Sequence, residues 1–131
     1  MLIIDDRYYR EYEGEGEIDY ICQKNGRKVK KIQIWEGYFL SILNGLIKNG
    51  EKPVGMLRML LISDTWDKEP WRIPDIQEMI IVFEKYDENN FSESERLSKL
   101  LLDLLPEVLE SIIKFLKEVK ENNGDVYMEY L

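Results

Sequence analysis

Apolar and polar residues alternate along the first part of the chain, as they do in a β-strand with one buried face. The segment Ile18-Asp19-Tyr20-Ile21-Cys22 has this pattern, and the segment from Val29 to Ile34 follows it imperfectly. Asn25-Gly26 stands between the two segments, and both residues tolerate the positive φ of a type I′ turn. The pattern therefore predicts a β-hairpin with arms at 18–24 and 28–34.

From Trp35 onward the apolar period changes to that of a helix. Apolar residues recur at i, i+3, i+4 and i+7, and Asn49-Gly50 is a typical C-terminal cap. The next segment, Val54 to Ile62, is almost uniformly apolar, which indicates a short buried helix. The stripe of the first helix consists of Trp35, Tyr38, Phe39, Ile42, Leu43, Leu46 and Ile47.

The second half of the chain continues the helical period. Pro74 suits the first turn of a helix, and Ser92-Glu93-Ser94-Glu95 is a capping box that opens another. Pro106 is expected to restart the chain into a last helix, which ends at Asn122-Asn123-Gly124. Asp125 to Leu131 alternates like a strand, so it either pairs with the hairpin or frays. The three stripes are Ile76, Met79, Ile80 and Phe83; Leu97, Leu100, Leu101 and Leu104; and Leu109, Ile112, Ile113, Leu116 and Val119.

Together these segments predict a mainly α fold, with α+β as the alternative. About five helices would pack around one core, with a small N-terminal hairpin and a short C-terminal strand. The 131 residues match the size of one domain, which can bury a core without a disulfide or a metal. Within that single domain we expect an extended and hairpin region at 1–34, a helical core at 35–122 and a short tail or strand at 125–131.

Composition excludes every catalytic scheme that depends on histidine. The chain has no histidine, so Ser-His-Asp and Cys-His constellations and histidine-ligated zinc are ruled out. Cys22 is the single cysteine, and its place in a strand pattern indicates a buried structural thiol. Phosphate-binding glycine loops and EF-hand spacing are also missing from the sequence. We therefore expect a protein that is not an enzyme and binds no cofactor or metal; a hydrolase using only carboxylates is the least favoured alternative.

The formal net charge of -8 narrows the range of partners. Negative charge opposes binding to nucleic acid and to anionic membranes, whereas it suits a basic protein. An equally simple reading is that the charge only keeps the protein soluble. The sequence shows neither a signal-peptide pattern nor an apolar run of roughly 20 residues, so we expect a cytoplasmic protein.

The segment from Asp64 to Pro74 is the first candidate binding surface. It holds two of the three tryptophans and two of the four prolines. Tryptophan beside carboxylates is typical of a protein-binding anchor, although connecting-loop tryptophans also fold back onto the core. The candidate residues, including two from the next acidic loop, are Asp64, Trp66, Asp67, Glu69, Trp71, Asp87 and Glu88.

A second candidate surface lies near the start of the chain, where tyrosines and carboxylates are interleaved. Tyrosine offers a large, rather rigid contact with a polar tip, and neighbouring carboxylates would suit a basic partner. The alternative is an extended edge segment whose charges are simply solvated. The candidate residues are Tyr8, Tyr9, Glu11, Tyr12 and Glu13.

Residues 35–90 resemble a known group of proteins in size, acidity and organisation. The helix beginning Trp35-Glu36, the turn Leu60-Leu61-Ile62-Ser63-Asp64 and the loop from Trp66-Asp67 to Trp71-Arg72-Ile73-Pro74-Asp75 are similar to small immunity proteins of bacterial contact-dependent growth inhibition and related polymorphic toxin systems. The resemblance implies a non-enzymatic protein that binds and neutralises a cognate toxin domain, often a nuclease with a basic surface.

A different class of function is a structural or regulatory module, including a homodimer formed through the C-terminal helices. Apolar residues there extend beyond one stripe, which suggests burial on two sides of the helix. The residues that widen the apolar face are Leu102, Leu105, Val108 and Phe115.

Overall fold

A computed structural model describes residues 2–48, 50–62, 66–91 and 99–131, with the backbone alone for 99–102. The described residues form four α-helices and a five-stranded mixed sheet, so the fold is α+β. The prediction of a mainly α fold with about five helices is wrong, because strands that form only through long-range pairing show little local pattern. The helices are α1 (Glu36–Leu46), α2 (Gly55–Leu61), α3 (Ile76–Glu84) and α4 (Lys99–Glu121); the strands are β1 (Ile3–Tyr8), β2 (Glu17–Lys24), β3 (Arg27–Trp35), β4 (Trp71–Arg72) and β5 (Asp125–Tyr130).

The strand order is β1-β3-β2-β5-β4. Only the β1–β3 pair is parallel, and the other three pairs are antiparallel. The predicted hairpin is confirmed as β2–β3, with Asn25 and Gly26 at φ values of 54° and 77°. However, it forms the centre of the sheet and not a small separate element. The C-terminal segment is β5, an interior strand between β2 and β4, so it does not fray.

The helices differ from the predictions mainly at their ends. α1 ends at Leu46, before the predicted cap at Asn49-Gly50, and α4 runs through Pro106 without the predicted break. α2 buries Met56 and Leu60 but leaves Val54, just before it, 72 % exposed, so this segment is buried on one side only. The capping box at 92–95 lies outside the described residues, and so do Leu97 and the side chains of Leu100, Leu101 and Leu102.

One hydrophobic core lies between the sheet and the helices. The inward-facing residues of the central strands pack with buried side chains of the helices in a single cluster. The inward-facing strand residues are Ile18, Tyr20, Cys22, Ile32, Ile34, Val126 and Met128. Since side chains alternate along a strand, Asp19 and Ile21 lie on the opposite face of the sheet, where both are nevertheless buried.

In the part of the chain that is described, the helices are too short or too polar to cross a bilayer.

Candidate functional site

The strand directions bring several loops to one end of the sheet. β1 and β3 run parallel and finish at this end, and β5, which is antiparallel to β2, finishes there too. β2 and β4 run in the opposite direction and begin there. The segment 9–16, the β3–α1 junction and the loop at 66–70 therefore lie at the same end of the sheet, although they are far apart in sequence.

This end of the sheet is rich in carboxylates, and we call it the acidic end. Lys68 is exposed in the same loop as Asp67, and Arg10 pairs with Asp6 at 3.7 Å. Within the described ranges, Glu11, Glu13 and Glu15 form no ion pair. Their charge is thus available to a partner. The acidic end consists of Glu11, Glu13, Glu15, Glu36, Asp67 and Glu69.

Hydrogen bonds tie the loops of the acidic end to the sheet. The backbone N–H of Glu36 donates to the carbonyl of Gly16 at 2.9 Å, and the Tyr9 hydroxyl donates to the carbonyl of Glu15 at 3.1 Å. The Tyr130 hydroxyl donates to Oε2 of Glu36 at 2.6 Å. This hydrogen bond raises the pKa of Tyr130, and the charge of Asp67 adds to the rise. The shift indicates that the carboxylates of two different loops act on the same group.

An aromatic cluster of Tyr12, Trp35 and Tyr38 joins the segment 9–16 to the β3–α1 junction. The Tyr12 ring stacks on Trp35 with centroids 3.9 Å apart and planes 4° apart. Tyr38 contacts both rings edge-on, at 5.6 Å and 5.1 Å, and its hydroxyl lies 3.2 Å from that of Tyr12. Burial raises the pKa of Tyr38, and its bond to Tyr12 and the charge of Glu11 contribute to the rise. The cluster gives the acidic end a stiff base.

The first predicted surface is only partly present. Asp64 lies outside the described residues. Trp66 is 7 % exposed, and its indole N–H donates to the carbonyl of Leu60 at 3.1 Å, so its ring belongs to the core and is not available to a partner. Asp67 and Glu69 lie at the acidic end, while Trp71 is half-buried in β4 and packs against the core.

Asp87 and Glu88 lie away from the acidic end. The backbone N–H of Asp87 donates to the carbonyl of Gly45 at 3.0 Å, near the C-terminal end of α1, whereas Glu36 begins that helix. A helix of 11 residues is about 16 Å long. Both residues instead border a cavity of 490 Å³ formed with Pro106 and Glu110. The structure therefore separates carboxylates that the sequence analysis grouped together.

The second predicted surface divides into buried and exposed parts. Tyr8 is buried, with its hydroxyl 3.0 Å from that of Ser111, so it packs against α4. Glu11 and Glu13 are exposed at the acidic end, and Tyr9 and Tyr12 are half-buried there. Glu15, Glu36 and Tyr130 also lie at this end but were not among the candidates predicted from the sequence. Glu15 could have been predicted, because glutamate recurs at every second position from Glu11 to Glu17.

Asp19 is a functional candidate that the sequence analysis did not identify. It is 0 % exposed, its Oδ2 lies 3.4 Å from Nζ of Lys31, and its Oδ1 has no hydrogen-bond partner among the described residues. Burial raises the pKa of Asp19 to about 8, and the neighbouring Glu17 carboxyl adds to the rise while Lys31 opposes it. This carboxyl is a group that can take up a proton near neutral pH.

The acids of the described ranges do not gather into a group that would hold a metal ion. The arrangement at the acidic end suits the binding of a cationic surface, because four of its six carboxylates are exposed, those of Glu11, Glu13, Glu15 and Glu69. No family model, curated protein or solved structure matches the chain.

Proposed function

We propose that this chain is a non-enzymatic binding protein whose acidic end holds a basic protein domain and neutralises it, as an immunity protein neutralises its toxin. The observation that carries the proposal is the convergence of carboxylates from separate loops on one end of the sheet, above a stacked aromatic cluster. A rigid surface loses little entropy when it binds, so its charge contributes more fully to affinity.

Electrostatics gives the proposed binding a mechanism. The net charge of -8 creates a long-range field. Glu11, Glu13 and Glu15, which form no ion pair with any described residue, concentrate it at the acidic end. A toxin that cleaves nucleic acid holds phosphates on a basic surface, and these carboxylates would occupy that surface in place of phosphate. The long-range attraction between the acidic end and a basic surface steers the two proteins together and accelerates their association. This effect weakens as salt is added.

A cytoplasmic location fits the proposal, because an inhibitor of this kind must meet the toxin where the toxin acts. The single cysteine, Cys22, is buried, and burial raises the pKa of its thiol. A thiol of this kind stays protonated and structural in a reducing compartment.

The proposal is tested with the C-terminal domain of the protein encoded by the adjoining upstream reading frame. We expect the chain to bind this domain and to protect cells that express it. The double substitution Glu11→Lys and Glu13→Lys should slow association about tenfold or more at low salt. The matched control is Asp103→Lys with Glu121→Lys, which changes the net charge equally on the exposed surface of α4.

Two results would count against the proposal. One is a wild-type chain that neither binds the toxin domain nor protects the cells. The other is equal slowing by the two double variants, which would mean that net charge alone, and not the acidic end, governs association.

A further inference from the structure

Trp35 is held flat at the junction of β3 and α1. A Cβ atom at Gly37 would lie 2.3 Å from Cη2 of the Trp35 ring, so only glycine leaves room for the ring on that side. Tyr12 covers the other side of the ring at a centroid distance of 3.9 Å. Trp35 is therefore enclosed between Gly37 and Tyr12 and supports the tyrosine ring from below.

Tyr12 is fixed in place but not fully covered. One face of its ring lies on Trp35, and its hydroxyl is bonded to that of Tyr38 at 3.2 Å. The residue is half-buried, and among the described residues no aromatic ring stacks on the face of Tyr12 opposite Trp35. Its chain neighbours Glu11 and Glu13 are exposed on either side and have no ion-pair partner in the described ranges.

Positive side chains do lie over rings elsewhere in the described structure. The Arg7 guanidinium is 5.2 Å from the Tyr8 ring centroid, and the Lys30 ammonium is 6.0 Å from that of Phe115. No such cation lies over Tyr12 among the residues described. The ring and its two carboxylates thus offer a cation-binding arrangement that the described part of the chain does not fill.

We infer that the outer face of Tyr12 receives an arginine side chain of the basic partner, with Glu11 and Glu13 accepting hydrogen bonds from its guanidinium. This inference rests on the proposed function and names the contact that the acidic end makes. A planar guanidinium stacks on an aromatic ring and donates to carboxylates in the same plane, whereas an ammonium group is more strongly hydrated. Arginine is accordingly preferred over lysine at this position.

The probes are two capped peptides, hexa-arginine and hexa-lysine, which carry the same charge. We expect the intact chain to bind hexa-arginine about fivefold more tightly at moderate salt, because a planar guanidinium stacks on the ring, whereas an ammonium group is more strongly hydrated and gains less there. Calorimetry gives both affinities. Nuclear magnetic resonance should show the largest arginine-specific shifts at the Tyr12 ring and the Trp35 indole.

The variant Tyr12→Leu keeps the carboxylates and an apolar contact with Trp35 but removes the ring. Its preference for hexa-arginine should fall well below that of the intact chain, while Tyr127→Leu, which removes a half-buried tyrosine elsewhere on the sheet, should keep the full preference. If Tyr12→Leu does not fold, the ring shifts in the intact chain still decide the question. Equal affinity of the intact chain for both peptides, or shifts centred away from Tyr12, would overturn the inference.

The inference and the proposed function fail in different ways. If reversal of Glu11 and Glu13 abolishes toxin binding while Tyr12→Leu leaves it intact, the arginine contact is wrong and the acidic end is retained. If the intact chain prefers hexa-arginine but gives no protection against the toxin domain, the toxin-neutralising function is wrong and the contact is retained.

Discussion

Asp19 places a carboxyl group where water cannot solvate its charge. Its pKa is raised from 3.8 in the unfolded chain to about 8 in the folded one, with burial as the main cause. Between these pH values the folded protein keeps a proton that the unfolded chain loses, so the stabilising contribution is complete below pH 4 and is lost as pH rises through 8. The chain has no histidine, so few other groups titrate in this window.

We predict that Asp19→Asn removes much of this pH dependence. At pH 9 the free energy of unfolding of the variant should exceed that of the wild type by roughly 1–3 kcal/mol, so the variant is the more stable protein. The difference should shrink towards pH 4.5. Urea unfolding at intervals from pH 4.5 to 9 measures it, with the exposed Asp103→Asn as control, which should follow the wild type. A wild-type stability that rises relative to Asp19→Asn over this range would contradict the prediction.

Individual residues could be assigned to a strand from the sequence, but their surroundings could not. The alternation around Asp19 correctly predicts β2, yet a polar residue between apolar ones is normally solvated. Its burial depends on the neighbours that β3 and β5 bring beside it, Gln33 and Glu129. The same holds for Trp66, whose loop composition fits either an exposed anchor or a buried ring.

Pro106 interrupts the hydrogen-bond pattern of α4 without ending the helix. Proline has no N–H to donate, and its ring crowds the preceding turn, which costs about 3 kcal/mol in a helix interior. The helix persists because Leu105, Val108 and Leu109 are buried in the core on both sides of the proline. Tertiary packing thus overrides the local stop signal that misled the sequence analysis.

We predict that Pro106→Ala stabilises the protein by about 2 kcal/mol, since alanine restores the missing donor and fits the exposed position. The midpoint of urea denaturation should rise with an unchanged slope. Glu110→Ala, at an exposed site on the same helix, should change stability by less than about 0.5 kcal/mol. A midpoint that stays the same or falls in Pro106→Ala would show that the proline is favourable where it stands.

Elements with a local signature were predictable, and those that depend on distant pairing were not. Asn25-Gly26 identified the β2–β3 hairpin, and the apolar period identified α1 and α3. β4 has two residues, too few to show any period, and forms because β5 offers its free edge. β1 pairs in parallel with β3, although β2 lies between them in the chain. No local sequence pattern encodes this contact.

At the scale of the molecule, the sequence predicted many of the residues of the candidate site but not which of them lie together in the fold. Acidic and aromatic residues were identified both before the hairpin and after α2. They lie at one end of the sheet because of the strand directions: β1 finishes there and β4, which runs the opposite way, begins there. The length of α1 separates Asp87 and Glu88 from the acidic end, because Glu36 begins this helix and Asp87 bonds to Gly45 near its other end.

The two opposing features that govern self-association are the net charge and the free edge of β1. The charge of -8 makes copies of the chain repel one another. β1 pairs only with β3 among the described strands, and its Ile3 and Ile4 are 58 % and 51 % exposed, which leaves an apolar edge open to another strand. By contrast, Leu105, Val108 and Phe115 of α4 are buried in the core, which removes the main reason to expect a dimer through the C-terminal helix.

We therefore predict a monomer at low ionic strength and weak, concentration-dependent association as salt screens the repulsion. Sedimentation velocity over a range of salt and protein concentrations should detect it. Ile4→Lys places a charge on the edge strand and should abolish the association, whereas Leu104→Lys, on the exposed side of α4, should leave it unchanged. The reverse outcome, with Leu104→Lys abolishing association, would restore the helix-mediated dimer, because a charge on α4 can act only if that helix forms the contact.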